Sequence, residues 1–247
     1  MSFSYNGAWD DTVRTLRANA SLLIAVAGAF IFLPALLVGH IAPPPQESME
    51  AMSAYYADNF LLLLAGQVVA FIGNLVILAL VLDDRRPTVG ASIRAALGML
   101  PAYFLVSLLS GLMILGGLLL FVVPGLYLVG RLSAAGPALV VERRRNPVDV
   151  IRRSFAVTKG NGWAVLGLII LVFIGFYVLV LALTFVLGSV LMMVDRASGG
   201  GVGAFVLLAL TSAAGAAFNA VLMVLVACIY RRLAGSVESP PAPINGI

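Results

Sequence analysis

The chain has 247 residues, of which 62% are hydrophobic and only 11% are charged, and its formal net charge is +4. Soluble domains carry about 25% charged residues, so this composition excludes an ordinary water-soluble protein and indicates a membrane protein. One cysteine (Cys228) and one histidine (His40) exclude an intrachain disulfide and a thiolate metal cluster.

Six apolar segments recur along the chain, and each can cross the hydrocarbon core of a bilayer, which takes about 20 residues. They cover residues 19–41, 59–82, 99–123, 126–141, 163–194 and 202–230. Because no polar stretch between them could form a soluble domain, we predict an all-α integral membrane protein with one membrane domain over residues 1–235. Proline and glycine in the last residues predict a disordered tail over 236–247.

Short amphipathic segments precede the first, third and fifth spans. Residues 4–18 place Trp9, Val13 and Leu16 on one helical face, and the other two segments begin at Thr88 and Asn146, which are typical N-caps. We therefore predict that the six transmembrane helices form three hairpins, each preceded by a short cytoplasmic interfacial helix.

The positive charges predict the orientation in the membrane. Of the 15 Lys and Arg residues, only Arg196 lies on the opposite side from the others, and only Arg131 lies within a span. By the positive-inside rule both termini are cytoplasmic, and the 42–58 and 195–201 loops lie outside.

The same order of segments occurs three times, which suggests an internal repeat over residues 4–86, 87–145 and 146–232. The second and third units align at a constant offset of 59 residues, as in Arg85/Arg144, Val89/Val148 and Arg94/Arg153. Duplication explains this register, although the positive-inside rule alone produces basic loops at every second position.

Catalytic chemistry is not indicated. The sequence contains no HExxH, GxSxG, Walker or CxxC motif, and the acidic residues lie at helix ends or in loops. We therefore expect no enzyme, no cofactor and no bound metal.

Arg131 is the main candidate for a functional residue. An arginine in mid-bilayer costs about 2.5–3.5 kcal/mol on insertion scales, so such residues usually face protein, water or an anion. Its distance along the helix from Pro124 places it about 10 Å below the outer surface. Two interpretations stay open: an anchor that reaches the outer interface or freed carbonyls, and a contact with a lipid phosphate or anionic substrate.

Four further polar residues lie within spans. Counted back from the basic helix ends, Asn74, Ser133 and Asn219 have similar depths, and Gln67 lies nearer the outer side. With Arg131 they could line a path for a substrate or lipid. The alternative is interhelical hydrogen bonding, typically about 0.6 kcal/mol each.

A basic collar follows the fourth span. It consists of Arg143, Arg144, Arg145, Arg152, Arg153 and Lys159. Each cation near an anionic leaflet is worth about 1 kcal/mol, although membrane topology alone could explain the cluster. No aromatic residues alternate with these cations as in nucleic-acid sites, so nucleic acid is not an expected partner.

One stretch resembles a known family. The residues that carry the likeness are Pro124-Gly125-Leu126-Tyr127, Arg131-Leu132, Pro137-Ala138-Leu139-Val140, Glu142, Arg152-Arg153-Ser154-Phe155, Thr158-Lys159-Gly160 and Trp163. This run resembles the membrane domain fused to some bacterial glycerophosphoryl diester phosphodiesterases, which also occurs alone. The resemblance is specific over about residues 120–170 and implies a six-helix protein of the bacterial inner membrane. It does not imply phosphodiesterase activity, because the soluble catalytic domain is absent.

Two functional hypotheses follow. The first is a non-enzymatic membrane protein that binds or moves a lipid or another amphipathic or anionic small molecule. The second is a structural or accessory subunit, a homo-oligomer or the partner of another membrane protein, involved in envelope homeostasis. The phospholipid bilayer is the expected partner in both, and a bound lipid is expected only in the first.

Overall fold

The structure, a computed structural model, describes residues 3–45, 48–83, 88–143, 146–198 and 201–238, and every regular element in these ranges is helical. The α-helices are α1 (Tyr5–Ala18), α2 (Ala20–Ala27), α3 (Leu33–Ile41), α4 (Met49–Asp58), α5 (Phe60–Leu82), α6 (Val89–Leu120), α7 (Val122–Leu132), α8 (Ala135–Glu142), α9 (Pro147–Val157), α10 (Gly162–Ser198) and α11 (Val202–Glu238). The predicted tail lies mostly outside the described residues.

Six helical segments are long and apolar enough to cross a membrane. They are Ala20–Ile41, Phe60–Leu82, Val89–Leu120, Val122–Glu142, Gly162–Leu191 and Val202–Gly235. The prediction of an all-α protein with six transmembrane helices is therefore confirmed. The first span combines α2, a π-helical turn over Gly28–Phe32, and α3.

The π-helical turn accommodates the proline of the first span. The backbone N–H of Leu33 donates to the carbonyl of Gly28, five residues back. Pro34 follows directly and cannot donate to the carbonyl four residues before it. The wider turn therefore takes the place of the simple kink that Pro34 predicts.

The second interfacial helix is not separate from its span, which corrects the prediction for that hairpin. Thr88 caps the helix as expected, with its Oγ1 accepting from the N–H of Ala91 at 3.3 Å. From there α6 continues unbroken to Leu120 and includes Pro101. The helix passes through Gly98 and Pro101, a pair whose spacing would otherwise favour a helix end before the span.

The turn between the third and fourth spans falls at Phe121 and not at Pro124-Gly125. Phe121 is extended (φ −159°, ψ 145°), and α7 begins at the next residue. Pro124 lies in the first turn of α7, where a backbone N–H has no partner within the helix. Proline therefore fits inside the start of this helix instead of forming the turn before it.

Five spans form a closed ring, in which the neighbours are α5–α6, α6–α7, α7–α10, α10–α11 and α11–α5. The first span packs outside this ring against α5 and α11, and α8 packs against α5 and α9. The most buried residues form three runs at the ends of the second, fourth and sixth spans: 75–79, 137–140 and 224–230. The tightest packing is therefore at one end of the bundle.

We call this end the arginine-rich side, because α1, α9 and the last turns of α5, α8 and α11 lie there. The helix α1 packs against α11, and the Arg232 Nε donates to Asp11 Oδ2 at 2.6 Å. Ala8 and Thr12 of α1 are buried, whereas Trp9 is 40% exposed. The two termini of the membrane domain therefore lie on the same side. The opposite side carries α4, a helix that the sequence analysis did not predict.

A substitution at Gly130 tests the close contact between α7 and α10. A Cβ atom there would overlap the carbonyl oxygen of Gly162 and lie 3.0 Å from the Cβ of Leu166. Because backbone cannot move aside easily, Gly130→Ala should lower the free energy of unfolding by about 1–3 kcal/mol, as overpacking does. Thermal unfolding of the purified protein in detergent measures the change.

Gly111→Ala is the matched control, since a Cβ on that residue of α6 meets nothing within 4 Å. This variant should leave the free energy of unfolding unchanged or raise it by up to about 1 kcal/mol, because alanine has a higher helix propensity than glycine. Equal Tm values for the two variants would contradict the close crossing of α7 and α10.

Candidate functional site

The ring of five spans lines a partly open cavity of about 260 Å³, here called the central cavity. Every span of the ring contributes to its wall, which is mostly apolar. The polar residues of the wall are Tyr103, Ser107 and Ser110 on α6 and Ser133 at the end of α7.

Two of the residues singled out in the sequence meet at the central cavity. Ser133 lies in its wall and donates from Oγ to the carbonyl of Gly130 at 2.9 Å. Asn74 is buried behind the wall, where its side chain interacts with the hydroxyl of Tyr103. Ser107 interacts with the same hydroxyl.

Asn219 and Gln67 lie elsewhere. Asn219 is one helical turn from Leu222 and Met223, which line the cavity, and its Oδ1 is buried with no hydrogen-bond partner. Gln67 is exposed and lines none of the described cavities. The structure therefore brings Asn74 and Ser133 to the cavity, leaves Asn219 at its margin, and does not bring Gln67 there.

Arg131 lies near the end of α7, beside α9 and the start of α10. Its carbonyl accepts hydrogen bonds from Ser154 Oγ at 2.7 Å and from Thr158 Oγ1 at 3.2 Å, both on α9. Its Cδ packs against Gly162, the first residue of α10. The helix α9 folds back along α8, so the start of the fifth span lies beside Arg131. Counting residues from Pro124 cannot reveal this fold-back.

Aromatic rings surround the guanidinium of Arg131. Its central carbon is 4.9 Å from the ring centroid of Phe155 and 5.8 Å from that of Tyr127. Trp163 lies against Tyr127 with centroids 5.1 Å apart and is itself 56% exposed. We call Arg131, Tyr127, Phe155 and Trp163 the Arg131 site.

The Arg131 guanidinium has no acidic partner in the part of the chain that the structure describes. Its Nε is buried and makes no hydrogen bond. The side chain as a whole is half-buried, so its outer nitrogens can meet a ligand. A planar cation held between aromatic rings suits a phosphate or carboxylate.

The basic collar divides into two groups. Arg153 forms an ion pair with Glu142 through its Nε, and the hydroxyl of Tyr230 donates to the same carboxylate at 2.9 Å. Partial burial disfavours the charge of Arg153, but the hydrogen bond and charge of Glu142 outweigh it and raise the pKa of Arg153.

The other described members of the collar are exposed. They are Arg143, Arg152 and Lys159. Arg144 and Arg145 lie outside the described residues, as do Arg85 and Arg86 of the proposed repeat. The ion pair joins α8, α9 and α11, whereas the exposed cations are available to a membrane surface.

Sequence reasoning missed the hydroxyl groups of α6. Tyr103, Ser107 and Ser110 are spaced four and three residues apart, so they share one face of the helix. This stripe within an apolar span is a signal that could have predicted the polar wall of the central cavity.

A second cavity of about 570 Å³ lies at the lateral surface. It is an apolar groove between α1, α10 and α11 whose wall includes Tyr5, Trp9, Phe176 and Phe218. Its position beside an interfacial helix exposes it to the surrounding lipid.

The fold and cavities define an all-α, multi-pass membrane protein. Among the residues that the structure describes, no group of three His, Cys, Asp or Glu could hold a metal ion. Compared with known proteins, the chain matches no family model, no curated protein and no solved structure. Its resemblance to the membrane domain of glycerophosphoryl diester phosphodiesterases therefore stays a prediction.

The two neighbouring arginines Arg152 and Arg153 form a matched pair for a test. Arg153→Gln leaves Glu142 as a largely buried carboxylate without its guanidinium, a change that costs about 3–5 kcal/mol in fully buried pairs. The side chain of Arg153 is 19% exposed, so we expect the free energy of unfolding to fall by an amount at the lower end of that range. Arg152→Gln should change the stability by less than about 0.5 kcal/mol.

Thermal unfolding in detergent at neutral pH measures both variants. Tyr230→Phe removes one hydrogen bond to the carboxylate of Glu142. It should lower the free energy of unfolding by about 1 kcal/mol, a loss between those of the two arginine variants. A Tm for Arg153→Gln equal to that of Arg152→Gln would show that the ion pair does not hold α9 in place.

Proposed function

We propose that this chain is a non-enzymatic protein of the bacterial inner membrane that binds an anionic lipid through the Arg131 site. The observation that carries the proposal is the guanidinium of Arg131, which lies beside the start of a span and has no acidic partner among the residues that the structure describes. An arginine within a span is a functional candidate by default, because its burial is unfavourable unless something pairs with it.

The chemistry of the site favours a phosphate-bearing headgroup. Arginine presents a planar fork that binds phosphate through two parallel hydrogen bonds. Trp163 and Tyr127 are residues that concentrate at the level of lipid headgroups. Exposed Arg152 and Lys159 on the neighbouring segment add attraction for an anionic leaflet, at about 1 kcal/mol each.

Native mass spectrometry of gently solubilised protein tests the proposal. We expect the wild type to retain a phospholipid, and Arg131→Ala to lose it while keeping a Tm close to that of the wild type. Arg131→Lys should retain it about tenfold more weakly, because an ammonium group cannot form the two parallel bonds.

Arg94→Ala is the control, since Arg94 is exposed on the first turns of α6 and has no aromatic neighbour among the ring contacts. It should leave the retained lipid unchanged. Equal retention by the wild type and a folded Arg131→Ala would make Arg131 a structural anchor and reject the site.

A second candidate function is an accessory subunit of a membrane complex or a homo-oligomer. The observation in its favour is a set of small, exposed residues on α11: Ala213, Gly215 and Ala217. Small residues let another helix approach closely within a membrane. A stable homo-oligomer or a co-purifying membrane protein, without retained lipid, would favour this function.

The proposed orientation, with both termini cytoplasmic, is tested by cysteine labelling. Ser53→Cys on α4 and Ala156→Cys on α9 both replace exposed residues, and the native Cys228 is buried. A membrane-impermeant maleimide added outside should label Ser53→Cys and spare Ala156→Cys until the membrane is permeabilised. The reverse result would invert the orientation.

A further inference from the structure

The wall of the central cavity is uncharged. None of its lining residues is an Asp, Glu, Lys, Arg or His, and all of them lie in the described part of the chain. Arg131 does not line the cavity, although the next two residues, Leu132 and Ser133, do. A charged group that entered would find no counter-ion there.

Unpartnered polar atoms mark this region of the bundle. The Oγ of Ser110 lies in the wall and is buried with no hydrogen-bond partner. Asn74, behind the wall, also has its Oδ1 buried without a partner, as does Asn219 one turn beyond the wall. Buried polar atoms are normally paired, so orphans beside a cavity point to a molecule that supplies the missing hydrogen bonds.

Water alone does not suit this space. The volume of 260 Å³ would hold about eight or nine waters at about 30 Å³ each, and each buried water needs two to four polar partners. The wall offers only four polar side chains, and three of them, Tyr103, Ser107 and Ser133, already have partners within the protein. Most of the wall would suit hydrocarbon better.

We infer that the central cavity binds the uncharged, hydroxyl-bearing end of a neutral lipid. The apolar wall would contact hydrocarbon, and a hydroxyl group would donate to the unpartnered Oγ of Ser110. This site is separate from the Arg131 site, which would bind an anionic headgroup on the other face of the same helix.

Dioleoylglycerol is the probe, titrated into the purified full-length protein in detergent and followed by native mass spectrometry. The wild type should bind one molecule saturably. Ser110→Leu places a larger apolar side chain into the cavity and should weaken binding at least tenfold. Ser110→Ala removes the hydroxyl but not the space and should weaken it about threefold.

Gly111→Leu is the control for an added leucine at the neighbouring position, because Gly111 is exposed and has open space around it. It should bind within twofold of the wild type, and so should Arg131→Ala. If Ser110→Leu fails to fold, the Ser110→Ala result decides the matter alone.

Three results would overturn the inference: no saturable binding by the wild type, equal binding by both Ser110 variants and the wild type, or an experimental structure with only water in the cavity. Loss of dioleoylglycerol in Arg131→Ala would also overturn it, because the two sites would then be one. None of the first three results bears on anionic lipid at the Arg131 site.

Discussion

The break in the fourth span imposes the constraint on which the rest of this site depends. Pro137 has no N–H to donate to the carbonyl of Ser133, and the helix is interrupted between α7 and α8. Within a bilayer, every backbone group freed in this way must find a partner inside the protein. Two hydroxyl groups of α9 donate to the carbonyl of Arg131 just before the break. The interruption in one helix thereby fixes the position of another.

That docking determines the surroundings of Arg131. Because Ser154 and Thr158 hold α9 against the end of α7, Phe155 lies beside the guanidinium. The turn after α9 then starts α10 at Gly162, where the absence of a side chain lets Arg131 and Tyr127 pack closely. An ion pair between Glu142 and Arg153, the neighbour of Ser154, also joins α9 to the end of α8. One arginine of the basic collar is therefore structural, whereas Arg131 keeps its charge without an acidic partner in the described ranges.

The sequence predicted the parts of this structure that depend on local pattern. The length and hydropathy of the apolar segments were sufficient for the six spans, and Thr88 and Asn146 marked helix starts that the structure contains. Arg131 was conspicuous because a charge in an apolar run is rare. The neighbours of Arg131, in contrast, could not be derived from a count along its own helix. The fold-back of α9 depends on contacts between residues more than 20 positions apart, which periodicity cannot show.

The polar residues of the spans illustrate the same limit. Ser133 lines the central cavity and Asn74 lies behind its wall, but Gln67, expected with them, is exposed. Tyr103, Ser107 and Ser110 are the other polar residues of the wall. Depth along a helix is a property of the sequence, whereas the direction of a side chain around the helix axis is decided by the neighbouring helices. The step of about 100° between successive residues of an α-helix turns Arg131 toward α9 and Leu132 toward the cavity. Charge is thereby kept out of the uncharged interior, and the same helix presents a cation to α9 and the start of α10 on its other face.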